Sequence, residues 1–239
     1  MKRLLPLLLL LTTLLAACTA AQPTAAPTPT DPALVILSTN TPAATVAATA
    51  AATVAPTQTT GAVTFNIVPE ESKVTYEVGE TFFNQNNRFN LAIGVTKTLS
   101  GSVFGDLSNP PVSSIGPIQV DISQFTSDNN RRDNAIRGDW LESSSFPIAT
   151  FVSTAIEGLP SSYIEGQDYA LKVTGDLTVR EVTRSVTFDV TTRLNGDTLS
   201  GTAVTTLLLS DFSIGPISIA GILKTEDEAK ITLEFVARP

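Results

Sequence analysis

The strongest constraint on the fold is a period-two alternation of apolar residues, which begins after Gly61 and recurs to the end of the chain. In such a pattern alternate side chains lie on one face of a β-strand and can be buried together. The alternating runs are Val63-Phe65-Ile67, Val74-Tyr76-Val78, Val186-Phe188-Val190 and Ile231-Leu233-Phe235. Further strand candidates cover residues 90–98, 100–107, 116–122, 148–153, 169–179, 198–209 and 217–222. Many short strands separated by turn residues predict an all-β barrel or sandwich.

The first residues follow a different pattern, which is typical of an export signal. Lys2 and Arg3 precede an apolar stretch from Leu4 to Leu15 that is too short to span a bilayer. Small residues then lead to Cys18, as in the cleavage site of bacterial lipoproteins, where the thiol receives a diacylglycerol group. We therefore expect residues 1–17 to be a lipoprotein signal peptide and Cys18 to be lipidated. The mature protein would be exported and anchored to a membrane, facing the periplasm or the cell exterior. An ordinary signal peptide followed by an unrelated cysteine is the alternative.

The stretch from residue 18 to residue 61 consists largely of Ala, Thr and Pro, with no aromatic residue and with Asp31 as its one charge. Its one apolar patch is Leu34-Val35-Ile36-Leu37, which is too short to offset the entropy lost on ordering the chain. We predict a disordered linker over residues 18–61 and a single β-barrel domain over residues 62–239.

The inventory of residue types excludes several kinds of site. Cys18 is the only cysteine, and the chain contains no histidine. An intramolecular disulfide, a His- or Cys-based metal site and a Ser-His or Cys-His nucleophile are therefore excluded. The formal charge of -8 argues against binding to nucleic acid. We expect a protein that is not an enzyme and needs no cofactor or metal. Its oligomeric state stays open, a dimer included.

Residues 127–143 interrupt the strand pattern and are mostly polar. Ile136 and Trp140 are four positions apart, so a short helix would turn both of them toward one end of the barrel. Ser127 or Asp128 would act as its N-cap. The charged residues that would then point outward or sideways are Arg132, Asp133, Arg137 and Asp139.

The same segment has two chemical interpretations that we consider weaker. Residues 128–133 contain alternating acidic and amide side chains, as calcium loops do, but Arg132 occupies the place of a third ligand. Asp133, Asp139 and Glu142 could serve as paired carboxylates for acid/base chemistry. Because arginines flank them, surface ion pairs are the better explanation.

Aromatic residues are the candidates for a ligand site. The set comprises Phe82, Phe83, Phe89, Phe104, Phe125, Trp140, Phe146, Phe151, Phe188 and Phe212. Spacing alone fits an ordinary packed core, which is the simpler interpretation, or the lining of a cavity. An eight-stranded barrel can hold one elongated ligand if side chains do not fill its interior.

Two stretches together resemble the YceI-like family of exported or periplasmic lipocalin-like barrels. The first runs from Arg131-Arg132-Asp133-Asn134 through Arg137 and Leu141 to Phe146-Pro147-Ile148-Ala149-Thr150-Phe151. The second is Gly175-Asp176-Leu177-Thr178-Val179-Arg180-Glu181-Val182-Thr183-Arg184-Ser185-Val186. Within it, Glu181 replaces the family's usual turn glycine and Ser185 its frequent proline. Glu181 puts the turn geometry in doubt, because a positive φ is unfavourable for Glu.

The resemblance covers the whole foldable region and implies an eight-stranded antiparallel lipocalin-like barrel with a short helix capping one end. It also implies an internal tunnel that holds an apolar polyisoprenoid or a quinone, lined by the aromatic set. Arg132, Asp133 and Arg137 would brace the capping helix, with contact to a ligand head group as a lesser alternative. The rival functional hypothesis is a filled barrel that acts as an envelope or stress-related structural protein without a ligand.

Overall fold

The computed structural model describes residues 61–239, which form a single antiparallel sheet of 13 strands. The strands are β1 (Ala62–Ile67), β2 (Lys73–Phe82), β3 (Arg88–Thr96), β4 (Leu99–Ser100), β5 (Ser102–Asp106), β6 (Ser114–Ile115), β7 (Ile118–Asp121), β8 (Ile148–Glu157), β9 (Asp168–Val179), β10 (Val182–Asn195), β11 (Thr198–Leu208), β12 (Ser218–Ile219) and β13 (Leu223–Arg238). Short 3-10 turns lie at Pro69–Glu71, Phe83–Gln85, Pro110–Val112, Ile122–Gln124 and Leu209–Phe212. The helix α1 covers Asn130–Ala135 and continues into a π-helical turn at Ile136–Trp140.

The sheet curls into a barrel that closes on the strand β13. This strand pairs with β11 on one side and with β2 on the other. The ring continues from β2 to β3, whose chain bends into β4, and then through β7, β8, β9, β10 and β11. Val95 and Thr126 exchange backbone hydrogen bonds of 2.8 and 3.0 Å beside this bend. If β3 and β4 are counted as one bent strand, the ring has the eight strands that the family resemblance predicts.

Strand alternation determines which side chains enter the barrel, as the sequence pattern predicts. On β2 the inner face carries Val74, Tyr76, Val78, Glu80 and Phe82. The side chains of β3 that point away from the interior include Phe89, Leu91 and Ile93, and all three are exposed. The predicted strand limits are wrong at 217–222, where only Ser218–Ile219 is extended, and at 100–107, where Gly101 separates β4 from β5.

One end of the barrel is filled and the other is covered. Phe65, Leu99, Leu194 and Ala237 are buried at the filled end, where β1 joins the last residues of β13. At the opposite end the chain between β7 and β8 crosses the opening, and we refer to residues 127–143 as the capping segment. The predicted short helix over one end of the barrel is therefore confirmed. Its N-cap is Asn129, whose Oδ1 accepts bonds from Arg131 and Arg132, rather than Ser127 or Asp128.

Among residues 61–239, no helix has the length and hydrophobicity that a transmembrane span requires. The predicted signal peptide, the lipidation of Cys18 and nearly all of the predicted linker fall outside the described residues. These expectations stay predictions.

Candidate functional site: an apolar cavity inside the barrel

The interior of the barrel contains a cavity of about 570 Å³, within the range typical of ligand sites. All the inward residues of β2 from Val74 to Phe82 line it. Eight residue steps along a strand correspond to roughly 26 Å, so the cavity is elongated along the barrel. The other apolar lining residues include Ile118, Ile122, Ala149, Val173, Val190, Ala203, Ala229 and Ile231. Small residues such as Ala149, Ala203 and Ala229 leave the interior unfilled where larger side chains would close it.

The structure brings six of the ten predicted aromatic residues to the cavity wall. These are Phe82, Phe125, Trp140, Phe151, Phe188 and Phe212. Phe151 and Phe188 meet edge to face with a ring separation of 5.2 Å, as aromatic pairs prefer. Trp140 and Ile136 both reach the cavity from the capping segment, as their spacing predicts. Contact of these residues with a ligand stays a prediction.

The remaining four aromatic residues do not line the cavity. Phe89 and Phe104 lie at outward positions of β3 and β5, and 58% and 40% of their surfaces are exposed. Phe83 follows the last inward residue of β2 and begins a 3-10 turn, where it is 46% exposed. Phe146 lies in the loop before β8 and is half-buried. Residue type alone cannot distinguish these aromatic residues from the inward ones. The distinction depends on which alternate positions of each strand face the barrel interior.

Polar lining residues collect at the covered end. They are Glu80, Asn84, Gln85, Asn129, Arg131, Arg132 and Thr225. At their centre, Arg132 of α1 forms a bidentate ion pair with Glu80 of β2, with Nε–Oε1 at 3.0 Å and Nη2–Oε2 at 2.9 Å. Nη1 of the same guanidinium bonds Asp128 at 2.5 Å and Ser127 at 3.2 Å. The hydrogen bonds to Glu80, ahead of those to Asp128, raise the pKa of Arg132.

Two of the predicted outward charges are buried, so that prediction is wrong for them. The Arg132 side chain is only 10% exposed because it turns into the barrel to reach Glu80. Asp133 is 3% exposed and accepts hydrogen bonds from Ser127, from the amide at 3.0 Å and from the hydroxyl at 2.6 Å. These bonds stabilise the start of α1. For Asp133 they replace the surface ion pair that the flanking arginines predict. Arg137 is half-buried and donates to the Phe125 carbonyl at 3.3 Å and to Asn134 at 3.0 Å.

Tyr76 and Glu80 also belong to the site, although neither was among the predicted site residues. Tyr76 packs edge-on against Phe125, with ring centroids 5.2 Å apart, and desolvation raises its pKa to about 12. Both residues occupy inward positions of an alternating strand. A polar residue at such a position was the signal that could have identified them.

The residues of the second motif support the cavity wall. A side chain at Gly175 would place its Cβ 2.6 Å from the Phe151 ring, so this position has to be glycine. Leu177 lines the cavity, and the hydroxyls of Thr178 and Thr183 bond across the hairpin at 2.9 Å. Val182 pairs with Val179 at the turn. In the first motif, the Pro147 carbonyl accepts the Ile122 amide at 2.8 Å.

The turn of this hairpin differs from the prediction. The residue with a positive φ is Arg180, at 57°, and Glu181 is not in the left-handed region. Arg180 donates to the Trp140 carbonyl at 2.9 Å and forms an ion pair with Glu142 at 3.1 Å. The turn thus holds the far end of the capping segment.

In chemical terms the site is a long apolar container with a closed polar network at one end. It can bury an elongated hydrophobic molecule and offer a few hydrogen bonds to a polar end. The carboxylates at the polar end, Glu80, Asp128 and Asp133, are already engaged by an arginine or by Ser127.

Comparison with known proteins gives one family and several relatives. The sequence model of the YceI-like domain matches residues 65–237. A UPF0312 protein of Pseudomonas putida is 33% identical over 131 residues, which is 52% of this chain and 64% of the relative. The chain therefore aligns with slightly less than two thirds of that relative's length.

Two solved structures share the fold. BcnA of Burkholderia cenocepacia is 26% identical with a TM-score of 0.55, over 71% of this chain and 98% of that one. A polyisoprenoid binding domain from Saccharophagus degradans, implicated in plant cell wall breakdown, is 12% identical with a TM-score of 0.56, over 73% and 97% of the two chains.

Proposed function

Because the chain belongs to the YceI-like domain family, we propose that its barrel binds a long apolar isoprenoid or lipid, such as a polyprenyl chain or a prenylated quinone. The observation that carries the proposal is the continuous apolar cavity of about 570 Å³, with small residues at its wall. Burial of each CH₂ group contributes about 0.8 kcal/mol, so an apolar chain needs few polar contacts for tight binding. The polyisoprenoid binding domain from Saccharophagus degradans, which has the same fold, supports this ligand class.

The proposal includes a location outside the cytoplasm. Lys2, Arg3 and the apolar stretch before Cys18 support export, cleavage and lipid attachment at that cysteine. A barrel on such a tether would carry or sequester ligand close to a membrane. Incorporation of labelled acyl chains into the wild-type protein, and its loss in Cys18→Ser, tests this part. Labelling that persists in Cys18→Ser would contradict it.

Binding is tested by extracting lipid from protein purified from its native host and by titrating the empty protein with long-chain quinones. Ala203 lines the cavity, and Ala203→Phe should reduce ligand content by filling the interior. Thr206 is exposed on the same strand, so Thr206→Phe is the matched control and should retain ligand. If wild-type protein carries no lipid and binds no long-chain quinone, the structural role without a ligand replaces this proposal.

A further inference from the structure

We infer that the cavity selects ligands with an uncharged polar end, which accepts a hydrogen bond from Tyr76, over ligands that end in a phosphate. The inference rests on the proposed function and specifies the ligand class for the same cavity. Two independent features support it. One is a phenol group without a hydrogen-bond partner among residues 61–239, and the other is the charge balance around the covered end.

Tyr76 presents the phenol group. Its ring lies on the inner face of β2, packs on the edge of Phe125 and passes over Gly94, the residue opposite it on β3. Within residues 61–239 its hydroxyl forms no hydrogen bond, whereas those of Tyr163 and Tyr169 do. A tyrosine hydroxyl in an apolar environment normally finds a partner. Because Tyr76 borders the cavity, an oxygen atom of the ligand is the natural partner.

The protonation state determines what Tyr76 can recognise. Burial raises its pKa to about 12, so the hydroxyl keeps its proton at neutral pH. It therefore acts as a donor to a carbonyl, hydroxyl or ether oxygen.

The charges at the covered end disfavour a phosphate. Among the described lining residues the cationic ones are Arg131 and Arg132. Arg132 is already neutralised by Glu80 and Asp128, and Asp133 adds a further buried carboxyl group. Arg131 is exposed, so solvent screens its charge. A phosphate would meet the carboxylate of Glu80 at the cavity wall while the available guanidinium, that of Arg131, is screened by solvent, whereas an alcohol or a quinone meets no such repulsion.

The test compares probes of the same prenyl chain length on the full-length protein. Geranylgeraniol, geranylgeranyl phosphate and a quinone with a C20 prenyl tail differ in the polar end, and squalene serves as a hydrocarbon probe. We expect the alcohol and the quinone to bind at least about tenfold more tightly than the phosphate. Tyr76→Phe should weaken binding of the alcohol and the quinone about 5- to 10-fold, the usual effect of one hydrogen bond, and leave squalene unchanged.

Tyr163→Phe is the matched control. It removes a hydroxyl that bonds the Leu194 carbonyl at 3.0 Å and does not line the cavity, so all affinities should stay as in the wild type. Equal or tighter binding of the phosphate, or an equal loss for every probe in Tyr76→Phe, would overturn the inference while the proposed function stands. If squalene and all the other probes fail to bind, both are overturned.

Discussion

Arg132 and Glu80 are 52 positions apart in the chain, yet two nitrogens of the guanidinium lie 2.9 and 3.0 Å from the two carboxylate oxygens. The pair joins the capping segment to the inner wall of β2. Both side chains are at most 10% exposed, and Asn90 adds a bond of 3.3 Å to the carboxylate. A buried ion pair therefore holds the capping segment against the covered end of the barrel.

Removing one partner of this pair should be strongly destabilising. Arg132→Met leaves the buried carboxylate of Glu80 without a cation, and we expect the free energy of unfolding to fall by about 3 kcal/mol. Urea denaturation monitored by the fluorescence of Trp140, the single tryptophan, measures the loss.

The double variant Glu80→Leu/Arg132→Met is the control for this effect. It removes both charges and should recover most of the lost stability, because an apolar pair needs no counter-charge. A double variant as unstable as Arg132→Met would show that the ion pair is not the cause.

The pairing of Arg132 with Glu80 does not follow from the sequence, for a physical reason. The strand pattern correctly places Val74, Tyr76 and Val78 on one face, and continuing it by two positions puts Glu80 on the same face. The hydrophilicity of Arg132, in contrast, predicts an outward side chain. Its partner comes from a distant strand, and local spacing carries no information about such a contact.

Alkaline pH should lower stability through Tyr76. Its pKa is raised from 10.0 to about 12 in the folded state, so the unfolded chain loses this proton first as the pH rises. The stability that the protonated Tyr76 contributes to the folded state is fully present below pH 10 and declines toward pH 12. We expect the unfolding free energy of the wild type to fall more between pH 9.5 and pH 11.5 than that of Tyr76→Phe. Urea denaturation at both pH values measures this, and parallel losses in the two proteins would contradict it.

In the hairpin turn, replacing Arg180 by glycine should change stability little, and replacing Glu181 by glycine should not increase it. Arg180→Gly relieves a positive φ of 57° but loses the contacts to Trp140 and Glu142, so stability should change by less than about 1 kcal/mol. Amide hydrogen exchange should nevertheless accelerate at residues 140–143. Glu181→Gly only adds freedom to the unfolded chain and should destabilise by roughly 0.5–1 kcal/mol. A gain in stability in Glu181→Gly relative to the wild type would show that the strain lies at Glu181.

Inward and outward aromatic residues should differ in their effect on ligand binding. Phe188 lines the cavity beside Phe151, and Phe188→Ala should lower quinone affinity about tenfold because it removes contact area. Phe89 is 58% exposed on β3, so Phe89→Ala should change neither affinity nor stability noticeably. Fluorescence titration with a long-chain quinone distinguishes them. A similar loss in both variants would argue against binding inside the barrel.

Much of the barrel follows from period-two alternation, and the cap follows from the four-residue spacing of Ile136 and Trp140. The difference between Phe188 and Phe89 does not follow from composition, since it depends on which parity of each strand faces inward. The same is true of Arg180, where the turn register decides which of two residues has a positive φ. The hollow interior depends on the volumes of side chains that meet from different strands, among them Ala149, Ala203 and Ala229.

The position of β13 in the sheet also determines when the barrel can form. This 16-residue strand comes last in chain order among the described strands, and β1, β2, β11 and β12 all pair with it. Until it arrives, β2 and β11 each present an unpaired edge, and the apolar inner face has no closed wall. Such edges invite pairing with other chains. The ring can therefore close only once β13 has been made, and until then the edges of β2 and β11 have to be kept from pairing with other chains.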